Sequence, residues 1–154
     1  MIASIPLEDD LKDAEQTLRG VIRRTPLLSS PALDREIGAR VVVKAESLQI
    51  TGSFKMRGAY YRLARLDPGR QSAGVVAFSS GNFAQGLAAA GARLGVPVTI
   101  VMPEDAPAAK IKATADWGAA VILSQHGQQN REAVASARAR AIAEETGATL
   151  LHPF

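Results

Sequence analysis

The feature that constrains the fold most is the alternation of short apolar segments with longer amphipathic ones between Gly74 and Leu151. The apolar segments have the length and β-branched content of strands, and those between them are long enough for helices. Strands that are apolar throughout are buried on two sides, as in parallel sheets covered by crossover helices. The predicted fold class is therefore α/β, an open parallel sheet with helices on both faces. Strands are predicted at 74–78, 97–101, 120–123 and 148–151, and helices at 82–94, 108–117 and 130–146.

The residues before Gly74 are predicted to form shorter elements. Apolar residues at helical spacing predict a first amphipathic helix that packs on a larger body through Leu7, Leu11, Ala14, Leu18 and Val21. Strands are expected at 27–28 and 41–46, with a short helix at 31–37 between them. A further helix is expected over 58–66, and Asp67-Pro68-Gly69 is expected to break the chain after it.

Composition argues against several classes of protein. The chain has 154 residues, of which 47% are hydrophobic, enough for one ordinary core. No apolar run approaches the roughly 18 residues of a membrane span, and Met1 to Leu11 carry acids where a secretion signal has bases, so a cytoplasmic protein without a membrane partner is expected. The absence of cysteine excludes disulfides and thiolate chemistry. The net charge of +3 is dispersed, which argues against a nucleic-acid partner.

Lys55 is the first candidate for chemistry. It follows the Gly52 turn at the start of a predicted helix, with Phe54, Met56 and Arg57 beside it. A lysine amine attacks carbonyl carbons only in its neutral form, which burial and neighbouring cations favour. The ordinary alternative is a solvated lysine near a helix start, because lysine is rarely buried.

The second candidate is the loop Ser79-Ser80-Gly81-Asn82, which leads from a predicted strand into a predicted helix. Ligands of open parallel sheets bind at such positions. Glycine permits close backbone approach, and the helix amides and two hydroxyls are donors for an anion, either a phosphate or a carboxylate. The alternative is a helix cap without a ligand. His126 and His152 lack the spaced partners of a metal site, so both are interpreted as structural or surface groups and no metal is expected.

Three segments resemble threonine/serine dehydratases, which are fold-type II pyridoxal-phosphate (PLP) enzymes. Glu46-Ser47-Leu48-Gln49 with Thr51 to Ala59 is similar to their cofactor-lysine segment, Ser79 to Gly86 to their substrate loop, and Val101 to Pro107 to a third block. The blocks occur in the family's order, and the resemblance extends from about Leu11 to Phe154. It implies a fold like that of the tryptophan synthase β chain, of which this chain is the N-terminal half.

The resemblance also implies a role for each matched residue. Lys55 would form the Schiff base with PLP and move protons at the substrate's α-carbon, and Phe54 would lie beside the pyridine ring. Asn82 would hydrogen-bond the phenolic oxygen of the cofactor. The substrate carboxylate would be bound by Ser79, Ser80, Gly81, Asn82 and the backbone amide of Phe83, with Ser80 also a catalytic acid or base.

The implied activity is that of an ammonia-lyase, which converts threonine, serine or a related β-hydroxy amino acid into a 2-oxo acid and ammonia. The complete enzyme is expected to be a homo-oligomer. Phe83 stands where the family usually has histidine, and phenylalanine cannot hydrogen-bond or carry a proton. An altered or broadened substrate preference is therefore expected, with PLP chemistry retained.

Two domains are expected, and the chain is expected to hold only part of them. Residues 1–51 are assigned to the larger PLP domain, which is incomplete, and 52–154 to a smaller open α/β domain. The apolar end at Leu150 to Phe154 is interpreted as a sign of truncation. Because no glycine-rich phosphate loop follows the substrate loop, the chain alone is expected to be weakly active or inactive.

Three other functions remain open. A β-replacement synthase shares the lysine and the Ser-Gly-Asn loop, although Met56 after the lysine favours a dehydratase. A serine racemase fits the same residues. From another class of protein, a non-catalytic α/β remnant could bind an amino acid or a partner subunit.

Overall fold

A computed structural model describes residues 7–152. Its helices are α1 (Glu8–Leu18), α2 (Pro31–Ile37), α3 (Lys55–Ala64), α4 (Pro68–Ala73), α5 (Asn82–Leu94), α6 (Ala108–Asp116) and α7 (Arg131–Thr146). Its strands are β1 (Leu27–Ser29), β2 (Val42–Lys44), β3 (Val75–Phe78), β4 (Val98–Pro103), β5 (Ala120–Ser124) and β6 (Thr149–Leu151), and Glu46–Leu48 forms a 3-10 turn.

The central sheet has four parallel strands in the order β5-β4-β3-β6. Val75 to Phe78 of β3 lie beside Val98 to Val101 of β4, and Val75 to Ala77 lie beside Thr149 to Leu151 of β6. The chain therefore moves outward from β3 to β5 and then crosses to the other side of β3. The predicted parallel α/β sheet is confirmed.

Helices cover both faces of this sheet, as predicted. On one face Val75, Ala77 and Ile100 are buried in a core that includes residues of α3 and α5. On the other face Val76, Phe78 and Val101 pack with residues of α7. Alternate residues of β3 thus enter opposite cores, which explains why the whole strand is apolar.

The N-terminal elements form a separate small layer. β1 and β2 pair antiparallel in a two-stranded sheet of their own, with Leu28 opposite Val43. α1 packs on α3, where Asp13 accepts a hydrogen bond from Tyr61 and pairs with Arg65. Leu18 is buried, whereas Leu11 stays 61% exposed, so the apolar stripe predicted for α1 is only partly used. The boundary predicted between residues 51 and 52 remains a prediction.

Asp67-Pro68-Gly69 starts a helix that was not expected. Asp67 is the N-cap of α4, and its Oδ1 accepts a hydrogen bond from the Arg70 backbone N–H at 2.9 Å. Pro68 occupies the first turn, where its missing N–H costs nothing. α3 ends at Ala64, before these residues, so Asp67-Pro68-Gly69 begin the next helix and do not end the preceding one. Among residues 7–152, no helix combines the length and apolar character that crossing a bilayer requires.

Candidate active site

The candidate site lies at the carboxyl edge of the sheet, where the strand order reverses. The loop after β3 begins at Ser79, and His152 follows β6, the strand on the other side of β3 from β4. The strand that follows β3 in the chain, β4, lies on one side of it and β6 lies on the other, and open parallel sheets bind ligands in the crevice formed at such a switch point. Lys55, at the start of α3, lies against the same edge.

Residues 49–54 form the turn before Lys55, the lysine turn, and the side chain of Gln49 holds this turn in place. This side chain is only 2% exposed, and its Oε1 accepts hydrogen bonds from the backbone N–H groups of Arg23 at 3.0 Å and Ile50 at 3.1 Å. Its Nε2 donates to the Arg23 carbonyl at 2.9 Å. A buried amide with its hydrogen bonds satisfied on both sides holds the lysine turn against the segment after α1.

A second anchor is the ion pair of Glu46 with Arg57. Arg57 donates from Nε to Glu46 Oε2 at 2.8 Å and from Nη2 to Oε1 at 2.6 Å, and the Thr25 hydroxyl donates to Oε1 at 2.6 Å. The hydrogen bonds from Arg57 lower the pKa of Glu46 to about 2, against the opposing effect of burial. Such a bidentate pair is strong and directional, so it fixes the first turn of α3 relative to the 3-10 turn.

Gly86 lets α5 lie directly against the backbone of Lys55. A Cβ atom at Gly86 would lie 3.0 Å from the Lys55 carbonyl carbon and 3.0 Å from the Met56 nitrogen. Both atoms belong to the main chain of α3 and cannot rotate away. The glycine is therefore required for the close packing that sets the distance between Lys55 and the helix after the loop.

We expect Gly86→Ala to destabilise the protein by about 1 to 2 kcal/mol, because overpacking outweighs the better helix propensity of alanine. Denaturant unfolding would measure the change. Gly58→Ala in α3 is the matched control, since a Cβ there meets nothing within 4 Å, and it should be neutral or stabilising. Equal stability of the two variants would contradict the steric role of Gly86.

Lys55 borders two cavities that meet at its side chain. The first has a volume of about 490 Å³ and is lined by Phe54, Lys55, Arg62, Phe83 and His152, among others. The second, of about 250 Å³, is lined by Lys55, by the loop residues Ser79, Ser80, Gly81, Asn82 and Phe83, and by Glu132, among others. Every residue predicted for the site therefore lines one of these cavities. Their individual roles stay predictions.

The side chains around Lys55 offer a mixed set of groups. Its Nζ lies 5.1 Å from the centroid of the Phe54 ring, and Phe54 is 58% exposed. In the loop, the Gly81 backbone N–H donates to the Ser79 hydroxyl at 3.3 Å, and Asn82 Oδ1 accepts from Lys110 Nζ at 2.7 Å. The site thus combines an amine, a flat apolar ring, two hydroxyls and an amide.

His152, Arg62, Glu132 and Lys110 are site residues that were missed in the sequence. His152 was interpreted as structural or surface, yet it lines the larger cavity and packs edge-on against Phe78, with ring centroids 5.9 Å apart. Its position directly after a predicted strand could have suggested a site residue. The sequence does not show, however, that this strand, β6, lies beside β3 and so ends at the crevice. Arg62 lies on α3 seven residues after Lys55, so helical spacing was its available signal. Glu132 and Lys110 carry no local signal, because they enter the site from α7 and α6.

Comparisons with known proteins agree on the family. A family model described as pyridoxal-phosphate dependent enzyme matches residues 18–154. The L-threo-3-hydroxyaspartate ammonia-lyase of Pseudomonas sp is 49% identical over 145 residues, which cover 94% of this chain and 44% of that protein. The L-threonine ammonia-lyase of Thermotoga maritima is 47% identical over 146 residues, covering 95% of this chain and 35% of that protein.

A solved structure, that of maize serine racemase, superposes with a TM-score of 0.87 at 35% identity and covers 95% of this chain and 43% of that one. The chain thus spans less than half the length of the relatives it matches. The family match includes the lysine turn, the loop after β3 and all four strands of the parallel sheet. The chain belongs to the family of pyridoxal-phosphate dependent enzymes.

Proposed function

We propose that this chain provides the lysine and the carboxylate-binding loop of an ammonia-lyase that acts on threonine, serine or a related 3-hydroxy amino acid. The observation that carries the proposal is that Lys55 and the loop Ser79 to Phe83 line one cavity, although Lys55 and Ser79 are 24 positions apart in the sequence. The names of the two ammonia-lyases that match nearly the whole chain support the same reaction class.

The groups around Lys55 fit PLP. An amine can bind its aldehyde carbon, the ring of Phe54 can lie beside its pyridine ring, and the Asn82 amide can donate to its phenolic oxygen. When bound, PLP supplies the electron sink for negative charge at the substrate's α-carbon. Lys55, Phe54 and Asn82 are the residues of this chain that would hold it.

The remaining loop residues would bind and orient the substrate. The amides at the start of α5 are not used by the helix itself and, with the hydroxyls of Ser79 and Ser80, can donate to a carboxylate. Lys55 would move a proton at the α-carbon, and Ser80 would act as the second acid or base. Assembly into a homo-oligomer stays a prediction.

The direct test is to incubate the full-length protein with PLP and with threonine, serine or 3-hydroxyaspartate in turn. We expect stoichiometric release of a 2-oxo acid and ammonia from at least one of them. A protein that binds PLP through Lys55 but releases neither product would reject the ammonia-lyase. Failure to bind PLP would favour a non-catalytic module.

A racemase is the second candidate, and the superposition on maize serine racemase favours it. Lys55 and Ser80 line the same cavity, so each could exchange a proton at the α-carbon. Chiral analysis of recovered serine separates the two functions. Appearance of the opposite enantiomer faster than 2-oxo acid would identify a racemase.

Phe83 is expected to influence which substrate is preferred. It is half-buried and lines both cavities, and its side chain cannot hydrogen-bond. We expect Phe83→His to change the ratio of kcat/KM between threonine and serine or 3-hydroxyaspartate by about tenfold, the effect of one hydrogen bond of about 1.4 kcal/mol, with PLP affinity within twofold. Phe83→Leu is the control that keeps an apolar side chain. Unchanged threonine kinetics in Phe83→His would contradict the prediction.

A further inference from the structure

Lys110 contacts the candidate site from a helix that the proposed mechanism does not use. It lies in the first turn of α6, and its Nζ donates to Asn82 Oδ1 at 2.7 Å. The two residues are 28 positions apart. They meet because β3 and β4 are parallel neighbours, so the loops that follow them leave the same edge of the sheet.

The contact determines which way the Asn82 amide faces. An ammonium group has only donors, so the carbonyl oxygen of Asn82 must face Lys110 and the NH₂ group must point away from it. Asn82 is exposed, and the terminal torsion of an asparagine is broad and roughly two-fold when nothing holds it. Without Lys110, the amide could therefore present either its oxygen or its NH₂ group to the cavity.

Lys110 is itself held at the base of its side chain. Its backbone N–H donates to the Pro107 carbonyl at 2.8 Å, and its own carbonyl accepts from the Thr114 hydroxyl at 2.8 Å. Thr114 is fully buried at 0% exposure, so the first turns of α6 are anchored in the core. The ammonium group thus extends from a rigid support.

We propose that Lys110 is a positioning residue, which orients the Asn82 amide so that its N–H donors face the cavity shared by Lys55 and Ser80. The inference deepens the proposed function and rests on it, because the oriented amide is the group assigned to the phenolic oxygen of PLP. Lys110 is not among the described residues that line this cavity. It therefore acts on the cavity through its contact with Asn82.

The first experiment titrates PLP into the full-length protein and compares Lys110→Met with Lys112→Met. Lys112 lies on the same helix and pairs with Asp116 at 2.7 Å, so it is a matched control for loss of one lysine charge. We expect the Kd for PLP to rise about tenfold in Lys110→Met, equivalent to one hydrogen bond, and less than twofold in Lys112→Met. Equal effects of the two variants would overturn the proposal.

The second experiment asks whether Lys110 acts through Asn82. If it does, Lys110→Met should raise the Kd less than twofold further in protein that already carries Asn82→Ala, because the shared interaction is already gone. A structural or general electrostatic role would give the full tenfold effect in both backgrounds. Independent effects of the two substitutions would therefore refute positioning.

A third measurement needs no cofactor. In the cofactor-free protein, the NMR signals of the Asn82 side-chain NH₂ group should shift in Lys110→Met and stay unchanged in Lys112→Met. Unchanged signals in Lys110→Met would overturn the inference. If these signals shift while the unsubstituted protein fails to bind PLP, the contact is upheld and it is the proposed function that fails.

Discussion

Lys55→Ala is expected to abolish covalent attachment of PLP and to lower turnover of hydroxy amino acids at least about 10³-fold. The variant loses one amine that is assigned two roles, attachment of the cofactor and proton transfer at the α-carbon. Lys55 lines both cavities, one together with Phe54 and the other together with the loop Ser79 to Phe83. Borohydride reduction followed by peptide mass spectrometry would measure attachment at the lysine directly. Assay of 2-oxo acid would measure turnover.

The control for this variant is Lys12→Ala. Lys12 pairs with Glu8 on the surface of α1, and it is 65% exposed in its side chain. Lys12→Ala should keep PLP attachment and turnover within twofold of the parent protein. The free energy of unfolding of both variants should lie within about 1 kcal/mol of that of the parent protein. A reduced PLP adduct on a different lysine in Lys55→Ala would show that Lys55 is not the attachment site.

Glu46→Gln is expected to lower the free energy of unfolding by up to about 3 kcal/mol near neutral pH. The Glu46 side chain is only 18% exposed and the Arg57 side chain 30%, so solvent screens their pairing weakly. Removing the carboxylate leaves a partly buried guanidinium without its charge partner, which is costly. The expected size of this loss follows from the pKa of Glu46, which its partners in the folded protein lower from 4.5 to about 2. Each pKa unit corresponds to about 1.4 kcal/mol.

The same pair predicts a dependence of stability on pH. A carboxyl whose pKa is lower in the folded state contributes fully above its unfolded pKa, and the contribution is lost as pH falls toward the folded pKa. Glu46 should therefore lose its contribution between about pH 5 and pH 2. Urea unfolding across this range should show a shallower decline in Glu46→Gln than in the parent protein.

Asp116→Asn is the control for both measurements. Asp116 pairs with Lys112 at 2.7 Å, but its side chain is 59% exposed, and such surface pairs contribute about 0.5 kcal/mol or less. If Asp116→Asn and Glu46→Gln were equally destabilising, the bidentate pair would not be the anchor of the lysine turn.

Local pattern was enough to place most elements. The predicted helices at 31–37 and 82–94 match α2 and α5 residue for residue. The helix predicted at 130–146 begins one residue later, because Asn130 is its N-cap and accepts hydrogen bonds from the N–H groups of Glu132 and Ala133. Helix α4 was not predicted, because an aspartate that caps a helix before proline has the same sequence pattern as a turn.

The motifs of the candidate site could be predicted from the sequence, but the residues that hold these motifs in position could not. Lys55, Asn82 and Phe83 stand in segments whose residue types and order suggested chemistry. Gly86 had a weak signal, since glycine within a helix usually has a packing reason, but its contact with the Lys55 backbone required the position of α3 on α5. Lys110 had none, because its partner is 28 residues away.

The sequence by itself determined the α/β class, the parallel sheet and the two segments that carry the reactive groups, because apolar periodicity and turn residues act over a few neighbouring positions. Only the tertiary structure decided that β6 lies beside β3, that His152 reaches the crevice and that Lys110 faces Asn82. These placements depend on strand pairing and helix packing between residues far apart in the chain, and no local pattern encodes them.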